Sequence, residues 1–212
     1  ALAVLVLYRA PPRDGTGAAQ ASLRLTRREW TLTLIAATVW AAFNAGYVVY
    51  LSFAPRVLVA GGLAPLAAAS IVSLASWVMI VSGTICGQIA DRTGRADLVL
   101  YVCMAGAIVS LALLPQVGWA IPVSLGFGLV GMAPAGVIMA LTGAAMAPNK
   151  RAFGMGVFLS VYFLLTAPAP ALAGWLFDRS GDPFLPILLA IALFALTAAA
   201  NVAFRIAAAV PR

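Results

Sequence analysis

The sequence predicts an all-α polytopic membrane protein of six transmembrane helices, arranged as two inverted three-helix repeats. Three observations predict it. The chain is 64% hydrophobic and 9% charged, with a mean hydropathy of +1.05, whereas an ordinary soluble domain carries about 25% charged residues. Its apolar residues fall into six runs, each long enough at about 1.5 Å per residue to cross a hydrocarbon core of about 30 Å. The stretch Gly87-Gln-Ile-Ala-Asp91-Arg92-Thr93-Gly94-Arg95, at the end of the second run, has a near copy in Gly174-Trp-Leu-Phe-Asp178-Arg179-Ser180-Gly181, at the end of the fifth. Gly, Asp, Arg, a hydroxyl residue and Gly recur there at the same offsets.

The chain opens with apolar residues, Ala1 to Leu7, too few for a span of about 20. They lack the basic leader and small-residue cleavage site of a signal peptide, so residues 1–8 read as the end of a preceding transmembrane helix. Residues 9–29 hold Pro11, Pro12, Gly15 and Gly17 among Arg9, Arg13, Arg24, Arg27 and Arg28 and read as a flexible cytoplasmic linker. At its end Thr26-Arg27-Arg28-Glu29 fits a capping box. A six-helix domain then occupies 30–207, and 208–212 is a cytoplasmic tail.

Within that domain the first span runs from Trp30 to Phe53 and closes at Pro55. The second runs from Leu66 to Ala90, the third from Leu98 to Leu114, and the fourth from Trp119 to Met146. The fifth takes Phe153 to Phe177, with Pro168 and Pro170 permitting a bend, and the sixth Phe184 to Phe204. With the linker inside, 13 Lys and Arg less the outer Arg56 and Arg179 leave eleven inside, a decisive positive-inside ratio. Three spans separate the two copies of the charged motif, so Asp91 lies inside and Asp178 outside. Each copy closes the second helix of a triplet, as inverted-topology repeats require.

Composition also excludes chemistry. Histidine is absent, which removes a Ser/His/Asp site, a His-ligated metal and a His proton relay together. No cofactor or metal is expected. The net charge of +7 sits beside apolar spans and not on a basic patch interleaved with aromatics, so nucleic acid is not an expected partner. Cys86 and Cys103 lie inside apolar runs and read as small packing residues. Gly126-Phe-Gly128-Leu-Val-Gly131 spells a dinucleotide fingerprint, but no strand precedes it, and it reads as close helix packing. The pair Gly83 and Gly87 reads the same way.

Gly87 to Arg95 resembles the cytoplasmic Gly-x-x-x-Asp-Arg-x-Gly-Arg signature of the major facilitator superfamily, in the form found between helices eight and nine. Asn149-Lys150-Arg151-Ala-Phe-Gly154-Met-Gly156 resembles the basic loop opening helix eleven, and Ala173-Gly174-Trp175 with Asp178 and Gly181 its far end. One departure is Ala96, where the signature often has a basic residue. The resemblance covers essentially the whole chain and implies the C-terminal six-helix half of a transporter, with the N-terminal half of the same polypeptide as its partner. It implies secondary active transport of a small solute by rocking of the two halves in a multi-pass cell membrane, the bacterial inner membrane being the favoured address, and no enzyme activity. Phe43-Asn44-Ala-Gly46 through Phe53-Ala-Pro55 is similar to small-anion transporters of the cyanate and nitrate kind, which places a small organic or inorganic anion among the solutes to consider. A membrane sensor or scaffold that binds a ligand without moving it is the alternative class.

Two groups of residues are then singled out. The cytoplasmic latch motif is Gly87, Asp91, Arg92, Gly94 and Arg95. Asp91 ends its own helix, where the macrodipole disfavours a carboxylate by about 0.3–1 kcal/mol, so it should have another partner. The resemblance implies a helix N-terminus in the other half; a polar hairpin turned by Gly94 is the plain alternative. Asp178 and Arg179 are expected to keep the turn without the latch. On the first span Trp40, Asn44, Tyr47 and Leu51 form one stripe at i, i+4, i+7, i+11. A mid-depth amide must face protein or a wet cavity, so Trp40, Asn44 and Tyr47 are substrate-cavity candidates, with an interhelical hydrogen bond as the alternative for Asn44. Ser73, Trp77, Tyr162 and Thr166 join them as further candidates. No Asp, Glu, Lys or Arg lies mid-span, so a proton-coupling group is expected in the N-terminal half.

Overall fold

The computed structural model describes residues 24–131 and 133–209; the expected helix end at 1–8, most of the 9–29 linker and the last residues of the tail lie outside them. Among the described residues there are eight α-helices: α1 (Arg27–Ala60), α2 (Pro65–Thr93), α3 (Ala96–Leu113), α4 (Ala120–Val130), α5 (Ala135–Ala145), α6 (Arg151–Thr166), α7 (Pro168–Ser180) and α8 (Phe184–Ala209). Single 3-10 turns at Val117–Trp119 and Pro148–Lys150 precede α4 and α6. Among the described residues there are six stretches long and apolar enough to cross a membrane: α1, α2, α3, α4 with α5, α6 with α7, and α8. The protein is an all-α polytopic membrane protein. Short links at 61–64, 94–95, 114–116 and 181–183 make the spans they join antiparallel.

α1 begins on the capping box read from the sequence. The Glu29 N–H donates to the Thr26 hydroxyl at 3.3 Å, and the Thr26 N–H donates back to the Glu29 carboxylate at 2.7 Å. Its far end differs from expectation: the helix passes through Pro55 to Ala60. Proline there removes one donor, the one that would serve the carbonyl four residues back. The flanking Phe53, Ala54, Val57 and Leu58 are all buried, so packing holds the helix across the missing bond. At about 1.5 Å per residue its 34 residues reach well beyond a bilayer core. α2 likewise extends past Ala90 to Thr93, where Gly94 at φ 64° caps it in the left-handed conformation.

The fourth and fifth spans are each two helices, not one. In the fourth the break lies between Val130 and Ala135: Pro134 has no N–H for the Val130 carbonyl, and the Gly131 N–H closes the last turn of α4 on the Phe127 carbonyl at 2.6 Å. In the fifth the break is at Ala167, between α6 and α7, where Pro168 and Pro170 remove the two donors that would serve the carbonyls of Leu164 and Thr166, as the sequence anticipated.

The core lies between α1, α4 and α8. Phe43 meets Phe194 edge-on at 6.2 Å, Phe194 meets Phe127 at 5.8 Å, and Phe127 meets Tyr50 at 4.1 Å. Two glycines permit the closest approaches. A Cβ on Gly46 would stand 3.2 Å from the Phe194 ring, and one on Gly128 only 2.4 Å from the Ala75 carbonyl oxygen. The Gly-x-Gly-x-x-Gly run thus packs α4 on α2, with the Ser82 hydroxyl donating to the Gly128 carbonyl at 2.8 Å. Gly83 and Gly87 behave differently from expectation. A Cβ on either would meet nothing within 4 Å, because the face of α2 that carries them has no neighbour among the described residues. Burial follows the same division: 61% of the most apolar window of α1 is buried, against 22% for α2 and 17% for α6–α7. The second and fifth spans, the motif-bearing ones, therefore present the most open faces. Cys86 and Cys103 are buried and unpaired.

Candidate functional site

The charged hairpin is built by the Gly94 turn. Thr93 shapes it: its hydroxyl donates to the Ile89 carbonyl at 2.7 Å and accepts the Arg95 N–H at 3.3 Å. The copy repeats this chemistry. Ser180 donates to the Leu176 carbonyl at 2.8 Å and accepts the Asp182 N–H at 3.1 Å, and Gly181 caps α7 at φ 68°. The two motifs are one turn used twice.

They differ in their cations. Arg179 lies over the Trp175 ring at 5.4 Å, a contact within its own helix. Arg92 and Arg95 make no such contact, and Asp91, Arg92 and Arg95, all exposed, form no side-chain hydrogen bond or ion pair among the described residues. Gly87 sits one turn before Asp91 on the same open helix. The hairpin's charges are therefore available to something outside this bundle.

The stripe on α1 is partly assembled. Trp40, Asn44 and Tyr47 are half-buried and Leu51 is exposed. Asn44 Nδ2 donates to the Trp40 carbonyl of its own helix at 2.8 Å, so the amide finds a partner within α1 and its oxygen accepts from no other group among the described residues. The Tyr47 hydroxyl shares a hydrogen bond with Ser76 of α2 at 3.1 Å. Trp40 faces Tyr162 of α6 at 6.3 Å. Trp40, Asn44, Tyr47 and Tyr162 thus come together, with Ser76 as a member that the sequence reading missed.

Ser73 and Trp77 do not join them. Both are exposed, Trp77 to 72%, because α2 is rotated to bring Ser76, three residues on, toward α1. The Thr166 hydroxyl is buried without a hydrogen-bond partner at the α6–α7 break, apart from the ring cluster. A cavity of about 1160 Å³ lies elsewhere, near the ends of α1, α5 and α8, lined by Thr26, Glu29, Leu32, Met146, Lys150 and Ala208 among others.

Two polar clusters went unread. The Glu29 carboxylate, besides capping α1, accepts from Lys150 Nζ at 2.7 Å and from the Ala147 N–H at 3.2 Å, tying the start of α1 to the link between the fourth and fifth spans. Asp97, in the first turn of α3, pairs with Arg205 of α8 at 2.8 Å, and Asn201 Nδ2 donates to the same carboxylate at 3.1 Å. A signal for the second existed: Asn201 is a lone amide in an apolar span, as Asn44 is.

A model of the family described as Major Facilitator Superfamily matches residues 1–170. No curated protein matches the chain.

Proposed function

The chain belongs to the major facilitator superfamily, and on that premise we propose that it is the C-terminal six-helix half of a secondary transporter that moves a small solute by rocking against an N-terminal half. The observation that carries this reading is the hairpin. Among the described residues Asp91, Arg92 and Arg95 have no side-chain partner, and they stand at the end of a helix whose face is among the most open, as a latch to a second body requires. The open apolar faces of α2 and α6–α7, with Trp77, Ile80, Phe163 and Leu164 exposed, support a partner on that side.

On this reading the solute lies against Trp40, Asn44, Tyr47, Ser76 and Tyr162. These groups offer aromatic walls, hydroxyls and one amide, with no charge, so this half contributes orientation and the counter-charge or coupling group comes from the other. The basic end faces the cytoplasm, and the membrane is the bacterial inner membrane. The full-length protein in proteoliposomes tests this by counterflow with a panel of nitrate, cyanate, acetate and a neutral polyol. Saturable counterflow of one of them supports transport. Binding of a probe without counterflow supports the sensor reading and refutes this one.

A further inference from the structure

The latch hairpin needs something to aim it. Its turn is two residues long, its charges bond to nothing among the described residues, and α2, which leads into it, is sparsely packed. Its fixed side is therefore α3. There Asp97, two residues past Arg95, takes Arg205 Nε at 2.8 Å, Arg205 Nη2 at 2.8 Å and Asn201 Nδ2 at 3.1 Å, all on one oxygen. Asn201 Nδ2 also donates to the Tyr101 hydroxyl at 3.0 Å.

Resting on the transport reading above, we propose that Asp97, Asn201 and Arg205 are a positioning set that locks the start of α3 to the end of α8 and so aims the Asp91–Arg95 hairpin at the other half. The ion pair itself is half-exposed, and pairs of that kind contribute little to stability. What the cluster supplies is geometry. Two guanidinium N–H groups and one amide N–H converging on a single charged oxygen fix where that oxygen stands between the two helices. Asn201 is fully buried, and its orientation is set: Nδ2 stands among two acceptors while Oδ1 has no partner, and a flipped amide would turn its oxygen against the carboxylate. The dipole of α3 agrees, since Asp97 lies in its first turn, where a carboxylate is favoured. The third and sixth spans hold equivalent places in the two triplets, so this tie joins the repeats without touching the stripe on α1.

The test uses the full-length protein in nanodiscs, with Cys86→Ala and Cys103→Ala and spin labels at the exposed positions Leu98 and Leu188. The α8 segment from 188 to 205 spans about 25 Å, so the labels are within range of a dipolar distance measurement. A narrow distance distribution is expected in the parent. Asp97→Asn or Arg205→Gln should broaden it at least about twofold and lower maximal counterflow about tenfold, with half-saturation and thermal midpoint held. The exchange Asp97→Arg with Arg205→Asp should narrow it again, because the Asn201 amide can flip to present its free oxygen to an arginine. An unchanged width in the single variants overturns the proposal, as does broadening that the exchange fails to reverse. If the widths respond as expected but the parent carries no probe of the panel, the positioning role stands and the transport reading falls.

Discussion

Gly128→Ala should destabilise the bundle by about 2–3 kcal/mol. The new Cβ would stand 2.4 Å from the Ala75 carbonyl oxygen and 3.0 Å from its Cα. Both are backbone atoms that cannot swing aside, so regaining ordinary contact near 3.4 Å means parting α4 from α2 by about 1 Å, a forced expansion of the kind that costs about 1–3 kcal/mol. The same displacement would carry the Ser82 hydroxyl, now 2.8 Å from the Gly128 carbonyl, out of hydrogen-bond range, and such interhelical bonds contribute about 0.6 kcal/mol in membrane proteins. Reversible unfolding in mixed micelles measures the total, with Ser82→Ala isolating the hydrogen bond. If Gly128→Ala is as stable as the parent, or if Ser82→Ala costs as much as Gly128→Ala, the close approach is not what holds these two helices together.

Tyr47→Phe removes the hydroxyl shared with Ser76 and should raise half-saturation in counterflow several-fold with expression unchanged. Ser76→Ala should match it, and the double variant should be no worse than either; additive losses would separate the two residues. Arg56 lies over Phe53 at 5.2 Å and Phe177 at 4.9 Å, joining α1 to α7, and Arg56→Ala should lower unfolding stability by about 0.5–1 kcal/mol, whereas Arg56→Lys should retain part of the effect. Asp91→Asn in the full-length protein should slow transport while membrane insertion, read by protease protection, stays normal. Undiminished counterflow in that variant would remove the latch role.

Much of the fold was legible because the bilayer makes strict demands. The capping box at Thr26 and Glu29, the Gly94 turn and the bend at Pro168 are local chemistry, set within a few residues, and all three are present. Pro55 was misread for the complementary reason. One missing donor is a local fact, but whether a helix survives it depends on the neighbours packed around Phe53 and Leu58. The fourth span was expected unbroken because its apolar run is continuous, while Gly131 and Pro134 together interrupt its hydrogen bonding without interrupting its hydropathy.

The candidate site was less legible. Trp40, Asn44 and Tyr47 share a face by helical periodicity alone, and all three are half-buried. Choosing Ser73 and Trp77 over Ser76 needed the rotation of α2 about its axis, and in a run apolar on every side periodicity carries no such information. The Asp97–Asn201–Arg205 cluster joins positions 104 residues apart, a pairing that only helix packing creates.

The sequence by itself determined that the described residues hold six spans long and apolar enough to cross a membrane, that two copies of one turn close the second helix of each triplet, and that the charges of the first copy stand at the basic end. Hydrocarbon excludes unpaired backbone and unpaired charge, so span, turn and charge placement are written residue by residue. Tertiary structure decided which faces are open, that Asp91 finds no partner among the described residues while Asp97 does, and that Ser76 meets Tyr47. Those outcomes depend on how apolar cylinders rotate and approach one another, and close contacts such as Gly46 on Phe194 and Gly128 on Ala75 set that where hydropathy is the same on every side.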